Sequence, residues 1–119
     1  MEYMLMIYDD EKMWAKMADA QKGAIMGQYR EFTQGIVQSG HFRSGAPLQP
    51  TGTATTVREK GGKVLTTDGP YVETKEQLGG YYLVECKDLD EAIGIAARIP
   101  SVRFGGAIEV RPVLPTSQM

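Results

Sequence analysis

Residues 67–82 read TDGPYVETKEQLGGYY, a run that joins a tight corner to charged side chains and then to an aromatic strand. Asp-Gly-Pro favours a turn because Asp bonds nearby backbone, Gly accepts positive φ, and Pro cannot donate to a sheet. Before the corner, residues 53–58 and 63–67 are rich in β-formers, and the loop at 59–62 contains two glycines. This pattern predicts a β-hairpin. After the corner, residues 73–78 are predicted to form a loop or a single turn.

The N-terminal half is predicted to contain one strand and one long helix. Residues 2–8 are apolar at both alternating sets of positions, which predicts a strand covered on both faces. Helical spacing of apolar residues follows within 13–39, with Asp19 as the expected N-cap of its main part and Gly40 at its end. Residues 41–52 carry two glycines and two prolines, and we expect a loop there.

The C-terminal half is predicted to contain two strands and a second helix. Residues 81–86 form a strongly β-prone run. Asp88 and Glu91 have the spacing of a capping box, which predicts a helix that runs to about Ile99 before a proline stops it. Residues 107–113 alternate as a final strand.

The order is strand, helix, strand pair, strand, helix, strand. If the second arm of the hairpin is an extension, this order reduces to βαββαβ, the ferredoxin-like arrangement of an antiparallel sheet with two helices on one face. One α+β domain over residues 1–119 is therefore expected. The other face of the sheet is left bare, which predicts a homodimer that closes into a dimeric α+β barrel.

Composition excludes several classes of partner. A net charge of −2 over 119 residues gives no electrostatic reason to bind nucleic acid or an acidic membrane. No apolar run approaches the roughly 18 residues that a membrane span needs, and the N-terminus does not read as a signal peptide. The single Cys86 cannot form an internal disulfide and favours a reducing compartment, so a cytoplasmic location is expected.

The chain resembles the DGPF proteins of the YCII-related family along nearly its whole length. The matching stretches are YMLMIY at 3–8, TATTVR at 53–58, DGPYVETKE at 68–76, QLGGYY at 77–82, DLDEA at 88–92, AARIP at 96–100 and VRPV at 110–113. The resemblance implies a dimeric α+β barrel of ferredoxin-like subunits. It also implies a largely uncharacterised function, with members often encoded beside or fused to extracytoplasmic-function sigma factors.

Two positions depart from the family pattern. YCII-like relatives have a putative His/Asp site with the His after the first strand, whereas residues 9–12 read DDEK here. Tyr71 stands where the family name calls for Phe, which adds a hydroxyl to an aromatic position.

Three residues are candidates for catalysis. His41 is the only His, and imidazole is the side chain that most readily exchanges a proton near neutral pH. His41 follows a helix C-terminus, where the helix dipole favours a cation, so a capping or solvated role is the favoured interpretation. A functional role would require it to face Asp68 or Glu73. For Asp68, a structural role in the Asp-Gly-Pro turn is the preferred interpretation. Glu73 is the first choice for a general base.

Four further residues are candidates for ligand binding. Lys75 could contact an anion, and Glu76 adds a carboxylate to the same loop, although a solvated loop would carry the same charges. Tyr8 and Tyr82 could line a cavity with their hydroxyls, although aromatic residues at strand spacing usually pack in a sheet or an interface. No metal-ligand spacing or nucleotide-binding fingerprint is present, so neither a metal nor a cofactor is expected.

Two hypotheses for the function follow. The first is a small-molecule-binding protein or a cofactor-independent proton-transfer enzyme of the isomerase or lyase type. The alternative is a non-enzymatic regulatory module that binds a partner, linked to an extracytoplasmic-function sigma factor.

Overall fold

The computed structural model describes residues 1–119, and its centre is a four-stranded antiparallel sheet with helices on one face. The elements in chain order are β1 (Glu2–Asp9), α1 (Glu11–Lys16), α2 (Asp19–Gln38), β2 (Phe42–Pro47), β3 (Thr55–Lys60), β4 (Lys63–Asp68), β5 (Gln77–Glu85), α3 (Leu89–Ala96) and β6 (Ala107–Pro112). The sheet order is β2-β5-β1-β6, while β3 and β4 pair only with each other. Without that hairpin, the chain is β1-α2-β2-β5-α3-β6, so the expected ferredoxin-like βαββαβ fold is confirmed.

The core lies between the sheet and the helices α2 and α3. Alternate residues of β1 point into it, and the sequence there puts an apolar side chain at each such position, as in Leu5, which is fully buried. Phe32 of α2 packs edge-on against Tyr82 of β5, with ring centroids 5.2 Å apart. The other members of the cluster are Tyr3, Ile7, Ile36, Val84, Cys86, Ala92, Ile95, Ala96 and Ile99.

The opposite face of the sheet has no cover within the chain. Met4 and Met6 of β1 and Tyr81 and Leu83 of β5 lie on this face and are half-buried only by their neighbours in the sheet. One face of the first strand is thus covered by its own chain, and the cover predicted for its second face would have to come from another subunit. We call this surface, formed by Met4, Met6, Tyr81 and Leu83, the open face.

The expectation of a loop over residues 41–52 is wrong for Phe42–Pro47, which form β2. This edge strand pairs with β5, and its own residues give little sign of it, because Gly and Pro break the usual strand pattern. Gly45 passes so close to Tyr82 that a Cβ there would lie 2.8 Å from the ring. The strand is thus set by long-range pairing and close packing.

The predicted hairpin is present, but it lies outside the main sheet. β3 and β4 pair from Thr55 with Asp68 to Lys60 with Lys63. The hairpin is therefore an insertion between β2 and β5, and neither of its arms supplies a strand of the ferredoxin-like sheet.

Helix boundaries follow the expected capping chemistry with two corrections. Asp88 caps α3 as predicted, since its carboxylate accepts a hydrogen bond from the backbone N–H of Glu91 at 2.9 Å. Asp19 is the first residue of α2 and Ala18 is its N-cap, whereas α3 ends at Ala96, earlier than the predicted Ile99. None of these helices combines the length and the apolar character that crossing a membrane would require.

Candidate functional site

A chain of polar side chains ends on Asp9, at the C-terminal end of β1. Ser101 Oγ donates a hydrogen bond to Asp9 Oδ2 at 2.9 Å, and the Tyr29 hydroxyl is hydrogen-bonded to Ser101 Oγ. A serine hydroxyl has only one proton to donate. Because that proton goes to Asp9, the Tyr29 hydroxyl donates to Ser101, and the chain runs from Tyr29 through Ser101 to the carboxylate.

Local backbone structure holds this cluster in place. Ser101 lies in the 3-10 turn Pro100–Phe104, which follows α3 after a short connection, and the Ser101 side chain is buried. Its carbonyl accepts a hydrogen bond from Gly106 N at 2.9 Å. A Cβ on Gly106 would lie 2.8 Å from the carbonyl oxygen of Tyr8 and would overlap Asp9 Oδ1. Only glycine fits this close approach.

Burial and charge both favour the protonated forms of the cluster. Burial is the main cause that raises the pKa of Asp9 above its ordinary value, and the negative charge of Glu76 raises it further against the lowering effect of the Ser101 hydrogen bond. Burial likewise raises the pKa of Tyr29 to about 12, with a smaller contribution from the charge of Asp9. Tyr29 therefore stays a neutral donor, while Asp9 holds a proton more readily than a free aspartate.

An open cavity of about 400 Å³ lies beside Asp9. Its lining comes from the end of β1, the loop before β5 and the start of β6: Tyr8, Thr74, Lys75, Glu76, Ala107, Ile108 and Glu109. Tyr8 precedes Asp9, and Ala107 follows Gly106, so the backbone of Asp9 adjoins the cavity, while its half-buried carboxylate turns toward Ser101 and is not among the lining groups. The volume falls in the range of small-molecule sites, about 300–1,000 Å³.

The loop that carries Lys75 and Glu76 is tied down by side-chain amides and hydroxyls. The Gln77 amide donates to the carbonyl of Thr74 at 2.7 Å, and its oxygen accepts from Glu11 N at 3.0 Å. The Thr74 hydroxyl donates to the carbonyl of Glu76. This side of the cavity is therefore linked to the first turn of α1.

Three of the sequence candidates meet at this cavity, namely Tyr8, Lys75 and Glu76. Glu73 is exposed on the same loop, outside the lining. Tyr82 lies in the core beneath α2, where its hydroxyl is 2.6 Å from the Thr33 hydroxyl. Burial raises the pKa of Tyr82, although the Thr33 hydrogen bond opposes this.

The structure does not bring His41 together with Asp68 or Glu73. The backbone of His41 bonds Glu85, at the C-terminal end of β5, whereas the charged loop enters the N-terminal end of this nine-residue strand. At strand spacing, the two ends are about 26 Å apart. The His41 ring contacts the Ser39 hydroxyl at 2.6 Å and the Glu91 carboxylate at 3.2 Å, while its backbone N–H bonds the carbonyl of Ile36 at the end of α2.

Asp68 also lies outside the cavity. It ends β4, is exposed, and pairs with Thr55 across the hairpin. The next residue, Gly69, has a φ of 105°, which supports the turn role of the Asp-Gly-Pro corner.

Sequence reasoning missed the polar cluster behind the cavity. Asp9 carries one visible signal, a carboxylate at the end of an apolar strand. Tyr29 reads as part of the apolar stripe of α2, and Ser101 follows a helix-stopping proline with nothing that marks it. These residues meet only through tertiary folding, since Asp9 and Ser101 are 92 positions apart.

Replacing Tyr29 with Phe is expected to lower the free energy of unfolding by about 1 kcal/mol, because Ser101 loses its buried donor. Urea unfolding at neutral pH measures this change. The matched control is Tyr71→Phe, whose ring is 75% exposed and whose hydroxyl makes no hydrogen bond. Equal stability of the two variants would contradict a stabilising Tyr29–Ser101 hydrogen bond.

Comparisons with known proteins agree with this fold, and the matches extend over nearly the whole chain. The YCII-related domain profile matches residues 1–117. An uncharacterized protein of Rhizobium meliloti (strain 1021) is 34% identical over 114 residues, which cover 95% of this chain and 92% of that protein. The structure of 5-chloro-2-hydroxyhydroquinone dehydrochlorinase from Burkholderia phenoliruptrix AC1100, in complex with 2,5-dihydroxybenzoquinone, aligns with a TM-score of 0.53. It covers 99% of this chain and 98% of its own at 13% identity, which shows a shared fold. With a profile match over nearly its whole length and a relative at 34% identity, the chain belongs to the YCII-related domain family.

Proposed function

We propose that this protein binds a small molecule in the cavity beside Asp9 and catalyses a cofactor-independent proton transfer of the isomerase or lyase type. The observation that carries the proposal is that Asp9, whose pKa is raised, lies within electrostatic reach of Glu76, which lines a cavity of ligand size. Perturbed carboxyl groups in a cleft are typical of acid-base catalysis. The proposal moves the acid-base role from Glu73, the sequence candidate, to Asp9.

The cavity lining favours a small, mono-anionic substrate with an acidic C–H next to a carbonyl. Lys75 offers an ammonium for the anionic group, and the Tyr8 ring with Ile108 offers apolar surface. In the proposed step, the Asp9 carboxylate takes the proton from carbon, and the electron pair moves to the carbonyl oxygen. The protonated Asp9 then returns the proton to another carbon in an isomerisation, or the electron pair expels a leaving group in an elimination.

Glu76 has a separate role in this scheme. Its charge raises the pKa of Asp9 and so makes Asp9 a stronger base. A stronger base takes a proton from carbon more readily. The Tyr29–Ser101 pair keeps the carboxyl oriented by bonding one of its oxygens.

Ligand binding is tested by following backbone amide shifts while small anionic compounds, including 2,5-dihydroxybenzoquinone, are added. Shifts are expected at Tyr8, Lys75 and Glu76, and Lys75→Gln should weaken binding about tenfold, the loss of one charged contact. Lys60→Gln, on the exposed hairpin, is the matched control. Shifts confined to residues outside the cavity, or equal affinity of the two variants, would refute the proposed site.

The assembly in which this site works is proposed to be a homodimer. The open face defined by Met4, Met6, Tyr81 and Leu83 has no cover within the chain, and a two-fold axis would let each copy cover the other. The cavity opens at one end of that face, because Tyr8 and Ala107 are paired across β1 and β6 there. We assign the chain to the DGPF branch from its Asp68-Gly69-Pro70 corner, and we propose a cytoplasmic location because the thiol of Cys86 is free and buried.

A second candidate function is a regulatory module that binds an extracytoplasmic-function sigma factor. An apolar groove of about 320 Å³ between α3 and β6 supports it, since this groove exposes Ile93 and Val102. Co-purification with any sigma factor encoded beside the gene tests this role, and Ile93→Asp should abolish it. Binding that is unchanged in this variant would refute the groove as the contact.

A further inference from the structure

The β3–β4 hairpin stands away from the rest of the molecule. Its base is held by a hydrogen bond from Gly69 N to the carbonyl of Ala54 at 2.7 Å and by one from the Thr56 hydroxyl to the carbonyl of Gly69 at 2.9 Å. Beyond this base, every residue of β4 is exposed. An isolated two-stranded hairpin is only marginally stable in water. The hairpin therefore needs a surface to lie on, and its own chain does not provide one.

The two sides of the hairpin differ in character. The strand register places Val57 beside Thr66 and Val64 beside Glu59, and these form the first side. Val57 and Val64 are 63% and 69% exposed, although they are the largest apolar side chains on that side. We call this the valine side.

The opposite side is basic and already has an internal contact. Arg58 pairs with Leu65, and Lys60 pairs with Lys63, on this second side. The Arg58 guanidinium lies 5.0 Å from the centre of the Tyr71 ring, a cation–π contact. We call this the basic side, and its charges suit solvent.

The surface area of the chain is too large for a compact monomer of this size. The accessible surface is 8320 Å², whereas a monomer of 13.1 kDa exposes about 6,400 Å². The radius of gyration is 16.3 Å, against about 13.5 Å for a compact domain of this length. The excess of about 1,900 Å² is more than twice the roughly 800 Å² per partner that a stable complex buries.

A second copy of the chain is the partner that this surface fits best. The hairpin is joined to the cavity loop by residues 70–76, and the cavity lies at one end of the open face. The cavity loop therefore links the hairpin, along the chain, to one end of the open face. In a dimer with a two-fold axis, the hairpin of each copy would contact the open face of the other, so the same contact would form twice.

We propose that the β3–β4 hairpin is a dimer arm that lays its valine side against the open face of a second copy. The inference rests on the homodimer in the proposed function and is independent of the proton-transfer chemistry. Loss of the arm contact would weaken the dimer and leave the fold of the sheet and helices intact, because the arm contributes nothing to the core.

The first test compares two double variants that change net charge equally. Val57→Asp/Val64→Asp alters the valine side, and Lys60→Gln/Lys63→Gln alters the basic side. Sedimentation equilibrium should show a dimeric parent, a dissociation constant raised about 100-fold in the valine-side variant, and a change below about threefold in the control. Circular dichroism should show that both variants are folded.

The outcomes separate the arm from the dimer and from the chemistry. A dimeric parent whose dissociation constant is the same in both variants would overturn the arm and leave the open-face dimer standing. A monomeric parent at micromolar concentration would overturn both. The ligand titration of the cavity is a separate readout, so its failure bears on the proposed chemistry alone.

The second test asks which copy the arm touches. A Val64→Cys variant is labelled with a benzophenone group at its new thiol. Cys86 should react poorly with the label, because it is buried and burial is the main cause that raises its pKa. Natural-abundance and ¹⁵N-labelled protein are mixed, crosslinked by light and digested. Pairs of mixed isotope that join the arm to β1 or β5 are expected. Pairs in which both peptides always carry the same isotope would overturn the proposal.

Discussion

Replacing Asp9 with Asn is expected to lower the rate of the proposed proton transfer by about 10²- to 10⁴-fold, the usual contribution of a general base. Asn has nearly the same shape and can still accept the Ser101 hydrogen bond, but it cannot take a proton. The loss should therefore appear in kcat, with ligand affinity changed little. The matched control is Asp68→Asn, in the exposed corner, which should leave the rate unchanged.

The same substitution is expected to stabilise the fold at neutral pH. The pKa of Asp9 is raised above 3.8 in the folded state, so the folded protein binds this proton more tightly than the unfolded chain does. Stability is then fully present below pH 3.8 and is lost as the pH rises through the folded pKa. Asn mimics the protonated form and avoids this loss.

The gain in stability at pH 7 should be small, because Asp9 is only half-buried and water screens its charge. Thermal unfolding at pH 7 and again near pH 3.5 measures it, since the gain should vanish in acid. A variant that is less stable than the parent at pH 7, or that keeps full turnover, would contradict the role assigned to Asp9.

Replacing Gly106 with Ala is expected to lower the free energy of unfolding by about 2–3 kcal/mol, a typical cost of overpacking. The new Cβ would lie 2.8 Å from the carbonyl oxygen of Tyr8 and 3.0 Å from that of Ser101, and it would overlap Asp9 Oδ1. Backbone carbonyls cannot rotate away as a flexible side chain can. The start of β6 would therefore shift and carry the cavity wall with it.

Gly94→Ala is the matched control, since a Cβ there meets nothing within 4 Å. Gly94 lies within α3, where Ala is favoured over Gly, so this variant should gain about 0.5–1 kcal/mol. Urea unfolding of the two variants gives both values. A Gly106→Ala protein as stable as the parent would mean that the close approach around Asp9 is not as described.

Most of the fold could be predicted because its signals are local. The Asp88 cap and the apolar run of the first strand act within a few residues, and both were found where the sequence placed them. The strand Phe42–Pro47 was missed because its pairing with β5 decides it, and pairing with residues 33 to 42 positions away leaves no local pattern. The hairpin was found for its turn chemistry, but nothing in its residues says that it lies outside the main sheet.

The candidate site was recovered only on its exposed side. Lys75 and Glu76 were identified as candidates because they belong to a charged loop whose charges have no evident role in stabilising the fold. Ser101 and Tyr29 gained their role from burial beside Asp9, and neither burial nor a contact across 92 positions can be read from residue type. His41 was a candidate only because it is the one imidazole in the chain. Residue type does not say where a side chain lies, and the fold places His41 away from the cavity.

The proposed role of Asp9 as a base depends on its raised pKa, and carbon-detected NMR of side-chain carboxyls measures that pKa directly. A pH titration should show the pKa of Asp9 above its ordinary value of 3.8. In a Glu76→Gln variant the pKa of Asp9 should fall, because the neighbouring negative charge is gone. An Asp9 that titrates at or below 3.8 in the parent, or that is indifferent to Glu76, would contradict the account.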